Sequence, residues 1–246
     1  MKKNGFFFKE GVLKFRSIYW IIFIAELLLY IIISSLPIND PVLYNSFKSE
    51  QNGIISLSYI PMVFSIFPHN LTIASVEFVP VLGPFLYIDS SVVTSLIIAV
   101  EGTALGYSGF FVLVTLMIFP HFWLEIPSYA VATATSIYLI YLIYKRGEIL
   151  RNGIRKVLYL YIFVILELFI AGSVEAAEII FETTYRYPYD LYYPLMMWIP
   201  GSVAIFVLIL LFRRINRDEY GRYRKVDGEN DNRSQTMEEP PVWNGP

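Results

Sequence analysis

The sequence predicts an all-α polytopic membrane protein, a bundle of about six transmembrane helices. The chain has 246 residues, is 56% hydrophobic and 17% aromatic, and has a mean hydropathy of +0.53. That composition is too apolar for an ordinary water-soluble domain. Several apolar runs also reach the roughly 20 residues that a helix needs to cross the hydrocarbon core of a bilayer. The lipid bilayer is therefore a predicted partner, and the predicted location is the cell membrane.

The apolar runs divide the chain into three parts. We predict a basic N-terminal segment over residues 1–16, a transmembrane domain over 17–212 and a polar, disordered tail over 213–246. The first run is longer than the core of a signal peptide and has no good cleavage site after it, so we interpret it as a retained span. In chain order, the runs cover 17–36, 54–82, 91–107, 108–144, 157–181 and 194–212.

The distribution of the 19 Lys and Arg residues predicts the orientation. They cluster before the first run, in the 145–156 loop and after the last run, and only Lys48 and Arg186 lie elsewhere. By the positive-inside rule, both termini and the 145–156 loop are cytoplasmic. Six spans satisfy this rule. A four-span version, in which two of the three runs between Lys48 and residue 145 re-enter the membrane, satisfies it equally and stays open.

Acidic residues lie inside these apolar runs without Lys or Arg among them. Each costs on the order of 2.5 to 3.5 kcal/mol at the bilayer centre, so we expect them to face inward. Burial without a cationic partner favours the neutral carboxyl, unless a bound cation neutralises it. Hydrogen bonding between packed helices is the alternative role. The acids are Glu26, Glu77, Glu101, Glu125, Glu167, Glu175 and Glu178, with Glu182 at an edge.

The fifth run carries one acidic stripe. Glu175, Glu178 and Glu182 lie 8, 11 and 15 positions after Glu167. At about 100° per residue, all four fall within an arc of roughly 80° on a helix. This stripe is the predicted contact surface for the proline-containing segment 120–127, with Glu167 or Glu175 nearest to it.

Both histidines follow the same three residues, Ile-Phe-Pro, at positions 66–69 and 118–121. Each proline is predicted to interrupt its helix and to start a new one with the histidine in the first turn. Pro127 is predicted to interrupt the long run again. Paired, proline-broken spans are typical of intramembrane binding sites. At helical spacing, His121 shares a face with Glu125, and His69 shares another with Glu77.

These side chains predict a polar centre inside the membrane. His69, His121 and Glu125 are the candidate ligands of a divalent cation such as zinc, the one cofactor that the sequence suggests. A neutral histidine bonded to a carboxyl is the alternative. No hydrolase or phosphate-loop motif occurs, so we predict no enzymatic activity. The predicted centre comprises His69, Asn70, Glu77, Glu101, His121, Glu125, Glu167, Glu175 and Glu178.

Four stretches resemble one known family. They are 69–74 leading to Gly83, Glu101-Gly102 with Gly106, 120–127 and 171–176. Over about residues 64–176 the chain resembles the stage II sporulation protein M family, most specifically at Pro120-His121 followed by Leu-Glu-Ile-Pro. It has Phe122 where the family usually has glycine, and Glu101-Gly102 where the family usually has Asn-Gly. The resemblance implies a multi-pass membrane protein. The family's namesake belongs to a complex that remodels septal peptidoglycan during endospore engulfment, where it anchors hydrolytic partners.

Two function classes follow from these observations. The first is a non-enzymatic membrane subunit or scaffold of a larger assembly, with partner proteins or further copies of itself and no nucleic acid. The second is a transporter or channel for protons, cations or a small solute that uses the intramembrane Glu and His residues. An intramembrane metallo-hydrolase ranks below both.

Overall fold

A computed structural model describes residues 5–9, 12–145 and 147–217. Within these ranges the chain is helical, apart from one antiparallel pair of two-residue strands near the N-terminus. Of the predicted disordered tail 213–246, the residues from 218 onward lie outside the described residues. The elements are β1 Phe8–Lys9, β2 Val12–Leu13, α1 Phe15–Ser34, α2 Pro41–Ile55, α3 Tyr59–Glu77, α4 Leu82–Ala104, α5 Gly109–Ile118, α6 Phe122–Lys145, α7 Gly147–Thr184, α8 Tyr189–Met196 and α9 Trp198–Ile215.

Five helical segments are long and apolar enough to cross a membrane. This confirms a polytopic helical membrane protein, while the count of six spans stays a prediction. Helix α3 belongs to the predicted second span; it has 19 residues and is not among the five. Helix α5 is a shorter apolar helix. The five are Phe15–Ser34, Leu82–Ala104, Phe122–Lys145, Gly153–Thr184 and Tyr189–Ile215.

Helix α7 lies between α3 and α6, and both neighbours run antiparallel to it. Phe67 of α3 packs edge-on against Phe169 of α7 with 5.4 Å between ring centroids, and Phe78, directly after α3, packs against Tyr161 at 5.0 Å. Helix α6 buries a larger share of its span than any other candidate, 67% against 11% for the segment formed by α8 and α9. The core therefore forms around α6 and α7, and α9 lies at its edge.

One end of the bundle gathers basic residues. Lys156 Nζ lies 4.6 Å from the ring centroid of Phe15 and 4.8 Å from that of Tyr138, and the Phe15 ring also packs against Phe212 at 6.1 Å. The start of α1, the end of α6, the start of α7 and the end of α9 thus meet. We refer to this side as the basic end. The basic residues next to these helix ends in the described part of the chain include Lys14, Arg16, Lys145, Arg213 and Arg214.

The prolines do not all break their helices. Helix α3 continues through Pro68, and α6 continues through Pro127, so the predicted breaks at these two positions are wrong. At Pro120 the prediction is confirmed: α5 ends at Ile118 and α6 begins at Phe122. Proline pushes the preceding residue toward extended backbone, and Phe119 adopts ψ 143°.

Tryptophan donors explain why the chain breaks at Pro120. The indole of Trp198 donates to the carbonyl of Ile118 at 2.7 Å, and that of Trp123 donates to the carbonyl of Met117 at 2.8 Å. Backbone groups freed inside a membrane need such partners from the protein. Helix α3 at Pro68 and helix α6 at Pro127 are continuous, so each keeps most of its backbone hydrogen bonds internal. They therefore need fewer donors from elsewhere in the protein.

Candidate functional site

The break at Pro120 places His121 directly before the first turn of α6. Its Nδ1 is hydrogen-bonded to Oε2 of Glu178 on α7, and Glu175 and Glu125 lie within electrostatic range of the ring. Both Glu178 and the imidazole are largely buried, with side chains 5% and 13% exposed. We call His121, Glu125, Glu175 and Glu178 the His121 cluster. It joins the start of α6 to the acidic stripe of α7, away from the basic end.

The acidic stripe of α7 faces the interior over most of its length. Glu167 and Glu178 are buried, Glu175 is half-buried and Glu182 is exposed. The segment around Pro120 contacts this stripe as predicted, but its hydrogen bond goes to Glu178. Glu167 lies two to three turns away, near Tyr19 of α1. The predicted centre is therefore not continuous along α7.

A second pair of acids lies between four helices. Glu26 of α1 and Glu77 of α3 are each only 1% exposed and lie within electrostatic range of one another. Oε1 of Glu77 accepts a hydrogen bond from Ser90 of α4 at 2.9 Å, and Oε2 accepts a long one from Thr133 of α6 at 3.5 Å. Oε2 of Glu26 has no hydrogen-bond partner among the described residues. We call these two acids the Glu26–Glu77 pair.

Glu26 was not among the predicted site residues, although the sequence contains a signal for it. The buried residues of α1 include Ile18, Ile22, Glu26, Tyr30 and Ser34. They recur every four positions, which is the spacing of one helix face. An acid in that series must point into the protein. Glu125 connects this pair to the His121 cluster, because it lies within electrostatic range of both Glu26 and His121.

Glu101 has a basic partner, contrary to the expectation that the intramembrane acids have none. Lys48 lies on α2, a helix in the region predicted only as an outside loop, and its Nζ donates to Oε1 of Glu101 at 2.6 Å. Asp40 caps this helix by accepting from the backbone N–H groups of Val42 and Leu43, each at 3.0 Å. Glu101 therefore belongs to a contact between α2 and α4 at the end opposite the basic end.

The two histidines have different environments. His69 is exposed on the outer surface of α3, whereas Asn70, Ala74 and Glu77 of the same helix are buried. The predicted shared face of His69 and Glu77 is therefore wrong, because His69 lies on the outer surface of the helix and Glu77 in the interior. The described residues contain no group of three or more His, Asp or Glu side chains placed to hold a metal ion. His69, His121 and Glu125 thus do not form a site there.

Close backbone contacts surround these polar side chains. A Cβ atom added at Gly83 would collide with the backbone carbonyl of Glu77, and one added at Gly102 would collide with the backbone of Gly109. Val81, in the turn between α3 and α4, has φ 71°, a strained value for a β-branched residue. The turn after Glu77 is thus tightly packed, and it fixes where α4 begins relative to that acid.

A family model named Stage II sporulation protein M matches residues 19–177, which is more than half of the chain. The chain belongs to this family. The match starts in α1 and ends in α7, so it contains the Glu26–Glu77 pair and ends one residue before Glu178. No curated protein and no solved structure matches the chain. The resemblance read from the motifs is confirmed, and it extends about 45 residues further toward the N-terminus than those motifs indicated.

The sporulation M match does not include the last two helices. Gly201 of α9 nevertheless packs against the ring of Pro120, where an added Cβ would lie 2.8 Å from the proline Cβ. Together with the hydrogen bond from Trp198, this contact attaches α9 to the most specific family motif.

Proposed function

We propose that this chain is a non-enzymatic membrane subunit that serves as the scaffold of a larger assembly in the cell membrane. The supporting observation is that several of the inward polar side chains bond from one helix to the next. His121 next to α6 bonds to Glu178 of α7, and Glu77 of α3 bonds to Ser90 of α4 and Thr133 of α6. Such contacts hold helices in fixed positions. A rigid bundle suits a subunit that positions other proteins.

Family membership supports the same proposal, because the resemblance implies a protein that anchors partners rather than one that carries out a reaction. The partners we propose are other membrane or envelope proteins, or further copies of the chain. The polar tail and the basic N-terminal segment are the parts that we expect to face the cytoplasm.

A transporter or channel is the second candidate, and one observation favours it. Three buried glutamate oxygens have no hydrogen-bond partner among the described residues: Oε2 of Glu26, Oε2 of Glu167 and Oε1 of Glu178. Unpaired polar atoms are costly in a membrane interior and often mark ion or proton pathways. Glu167 and Glu178 lie about three turns apart on α7, and Tyr19 lies within electrostatic range of both Glu167 and Glu26.

Purification tests the scaffold proposal directly. We expect the full-length chain, extracted from its native membrane with a mild detergent after crosslinking, to carry a fixed set of partner proteins. The control is the same extraction with an unrelated multi-pass protein of similar abundance. Recovery of the chain alone, at the mass of one protomer, contradicts the proposal.

Glu125→Gln separates the two candidates. Tyr129 donates to Oε1 of Glu125 at 2.8 Å, and an amide oxygen accepts that bond as well as a carboxyl does. For a scaffold we therefore expect the variant to keep its thermal stability, its partners and its ability to restore growth to a deletion strain. Loss of growth restoration with unchanged stability and partners would instead favour transport, because an amide cannot titrate and is a poorer cation ligand.

Labelling tests the proposed orientation. We expect cysteine labels at Lys3, Gly147 and Gly228 to be protected in intact cells, and labels at Lys48 and Tyr187 to react with an impermeant reagent. The chain has no native cysteine, so each introduced thiol is the sole target. Reaction at Gly147 in intact cells would contradict the placement of the basic end in the cytoplasm and, with it, the six-span count.

A further inference from the structure

The Glu26–Glu77 pair has an environment made of oxygen atoms. Besides the two carboxyls, it contains the hydroxyls of Ser90 and Thr133, which bond to Glu77, and the hydroxyl of Tyr87, which lies beside Glu26 and donates to the carbonyl of Ile22 at 2.9 Å. These groups come from α1, α3, α4 and α6. Carboxylate, hydroxyl and carbonyl oxygens are the donors that hard cations prefer.

The charge of this pair has no basic counterpart in the part of the chain that the structure describes. Among the described residues, no Lys, Arg or His contributes to the electrostatic environment of Glu26 or Glu77. The largest effect of another charged group on Glu26 comes from Glu77, and both acids are 1% exposed. Two adjacent carboxyls in a membrane interior need a proton or a cation to offset their charge.

One oxygen of the pair is also unused. Oε2 of Glu26 is buried and accepts no hydrogen bond from the described residues. A buried polar atom without a partner costs on the order of 1 to 3 kcal/mol, so it calls for an explanation. A single proton shared between the acids would make one hydrogen bond between the two carboxyls. A cation would engage this oxygen together with the carboxyl of Glu77 and the neighbouring hydroxyls.

We propose that the Glu26–Glu77 pair is a binding site for one monovalent cation of the size of Na⁺. The charge sets the class: burial favours a protonated carboxyl, so one ionised and one protonated acid carry a single negative charge, which one monovalent cation balances. The described residues contain no group of three or more acids or histidines around a common point. Glu77 fixes one side of the site, because the backbone of Gly83 packs against its carbonyl. This site is independent of the scaffold proposal and holds whether the ion is structural or transported.

Thermal unfolding of the purified full-length protein tests this site. We compare melting in NaCl with melting in choline chloride at equal ionic strength and fixed pH. A ligand that binds only the folded state stabilises it, so Na⁺ should raise Tm in a saturable way by roughly 5 °C. Identical Tm values in the two salts overturn the proposal and leave a proton as the only neutralising species. A larger effect from micromolar Ca²⁺ than from Na⁺ overturns the assigned ion class.

Variants locate the effect. We expect Glu77→Gln and Glu26→Gln to lose the Na⁺ response, and the matched control Glu167→Gln, another buried acid with an unpaired oxygen, to keep it. Persistence of the response in Glu77→Gln overturns the assignment. If both substitutions at the pair prevent folding, Ser90→Ala is the variant to use, because it removes one hydroxyl only. The Na⁺ concentration that gives half of the Tm increase, the Na⁺ midpoint, should then rise about tenfold. An unchanged Na⁺ midpoint in Ser90→Ala, together with no binding of ²²Na⁺ to the wild-type protein, also contradicts the proposed site.

Discussion

Gly102→Ala and Gly109→Ala should each abolish the native bundle. A Cβ atom at Gly102 would collide with the backbone of Ser108 and Gly109. One at Gly109 would collide with the backbone of Ser34, Ile98 and Ala99. Backbone cannot move aside as a flexible side chain can, so we expect a loss of about 3 kcal/mol or more in the free energy of unfolding. Size-exclusion chromatography and thermal melting in detergent should show aggregated or strongly destabilised protein.

Gly53→Ala is the matched control for this prediction. Gly53 lies within α2 with open space around the position of a Cβ atom. Alanine favours a helix over glycine by roughly 0.5 to 1 kcal/mol, so this variant should melt at or slightly above the wild-type temperature. Gly102→Ala melting within about 2 °C of wild type would show that α4 and α5 are not held in this close contact.

His121→Ala should be the most damaging single substitution among the polar side chains. It removes the hydrogen-bond partner of Glu178, whose other oxygen already has none. Removal of one member of a buried pair leaves an uncompensated polar group and typically costs about 3 to 5 kcal/mol. We expect a loss near the lower value because the imidazole is partly exposed, and thermal melting in detergent measures it.

The second histidine supplies the comparison. His69→Ala, on the exposed surface of α3, should change Tm by less than about 2 °C. The double variant His121→Phe with Glu178→Leu should recover most of the stability lost in His121→Ala, because no unpaired polar group remains. Equal melting of His121→Ala and His69→Ala would mean that the bond to Glu178 contributes nothing measurable.

The membrane fold could be predicted from the sequence because its signals are local and strong. Long apolar runs indicate spans, and acids within such runs must avoid lipid, which places Glu167 and Glu178 in the interior as observed. The break at Pro120 was predictable from proline chemistry. Pro68 has the same chemistry in the same four-residue sequence and does not break α3, because the outcome depends on donors such as Trp198 that are distant in the chain.

The candidate site was harder to predict because its members meet across helices. Periodicity gives the inward face of one helix at a time, and it identified neither the pairing of Glu26 with Glu77 nor that of Glu101 with Lys48. The short helix that carries Lys48 has no buried residue, so it lacks the apolar stripe from which a helix is usually recognised. The error at His69 arose because spacing alone does not show which side of a helix is buried: His69 lies on the exposed surface of α3, and Glu77 lies on the buried one.

The uneven burial of the helices has a consequence for biogenesis. The segment formed by α8 and α9 is the most apolar and the least covered by protein, whereas α6 is the least apolar candidate span and the most covered. Ser, Thr and Ala occupy much of the buried surface of α6. During synthesis, the last segment has enough apolar surface to enter the bilayer on its own. The buried hydroxyls of α6 bond within that helix or to Glu77 and Val79, which precede it in the chain, so we expect its stable insertion to depend on packing against the helices made before it.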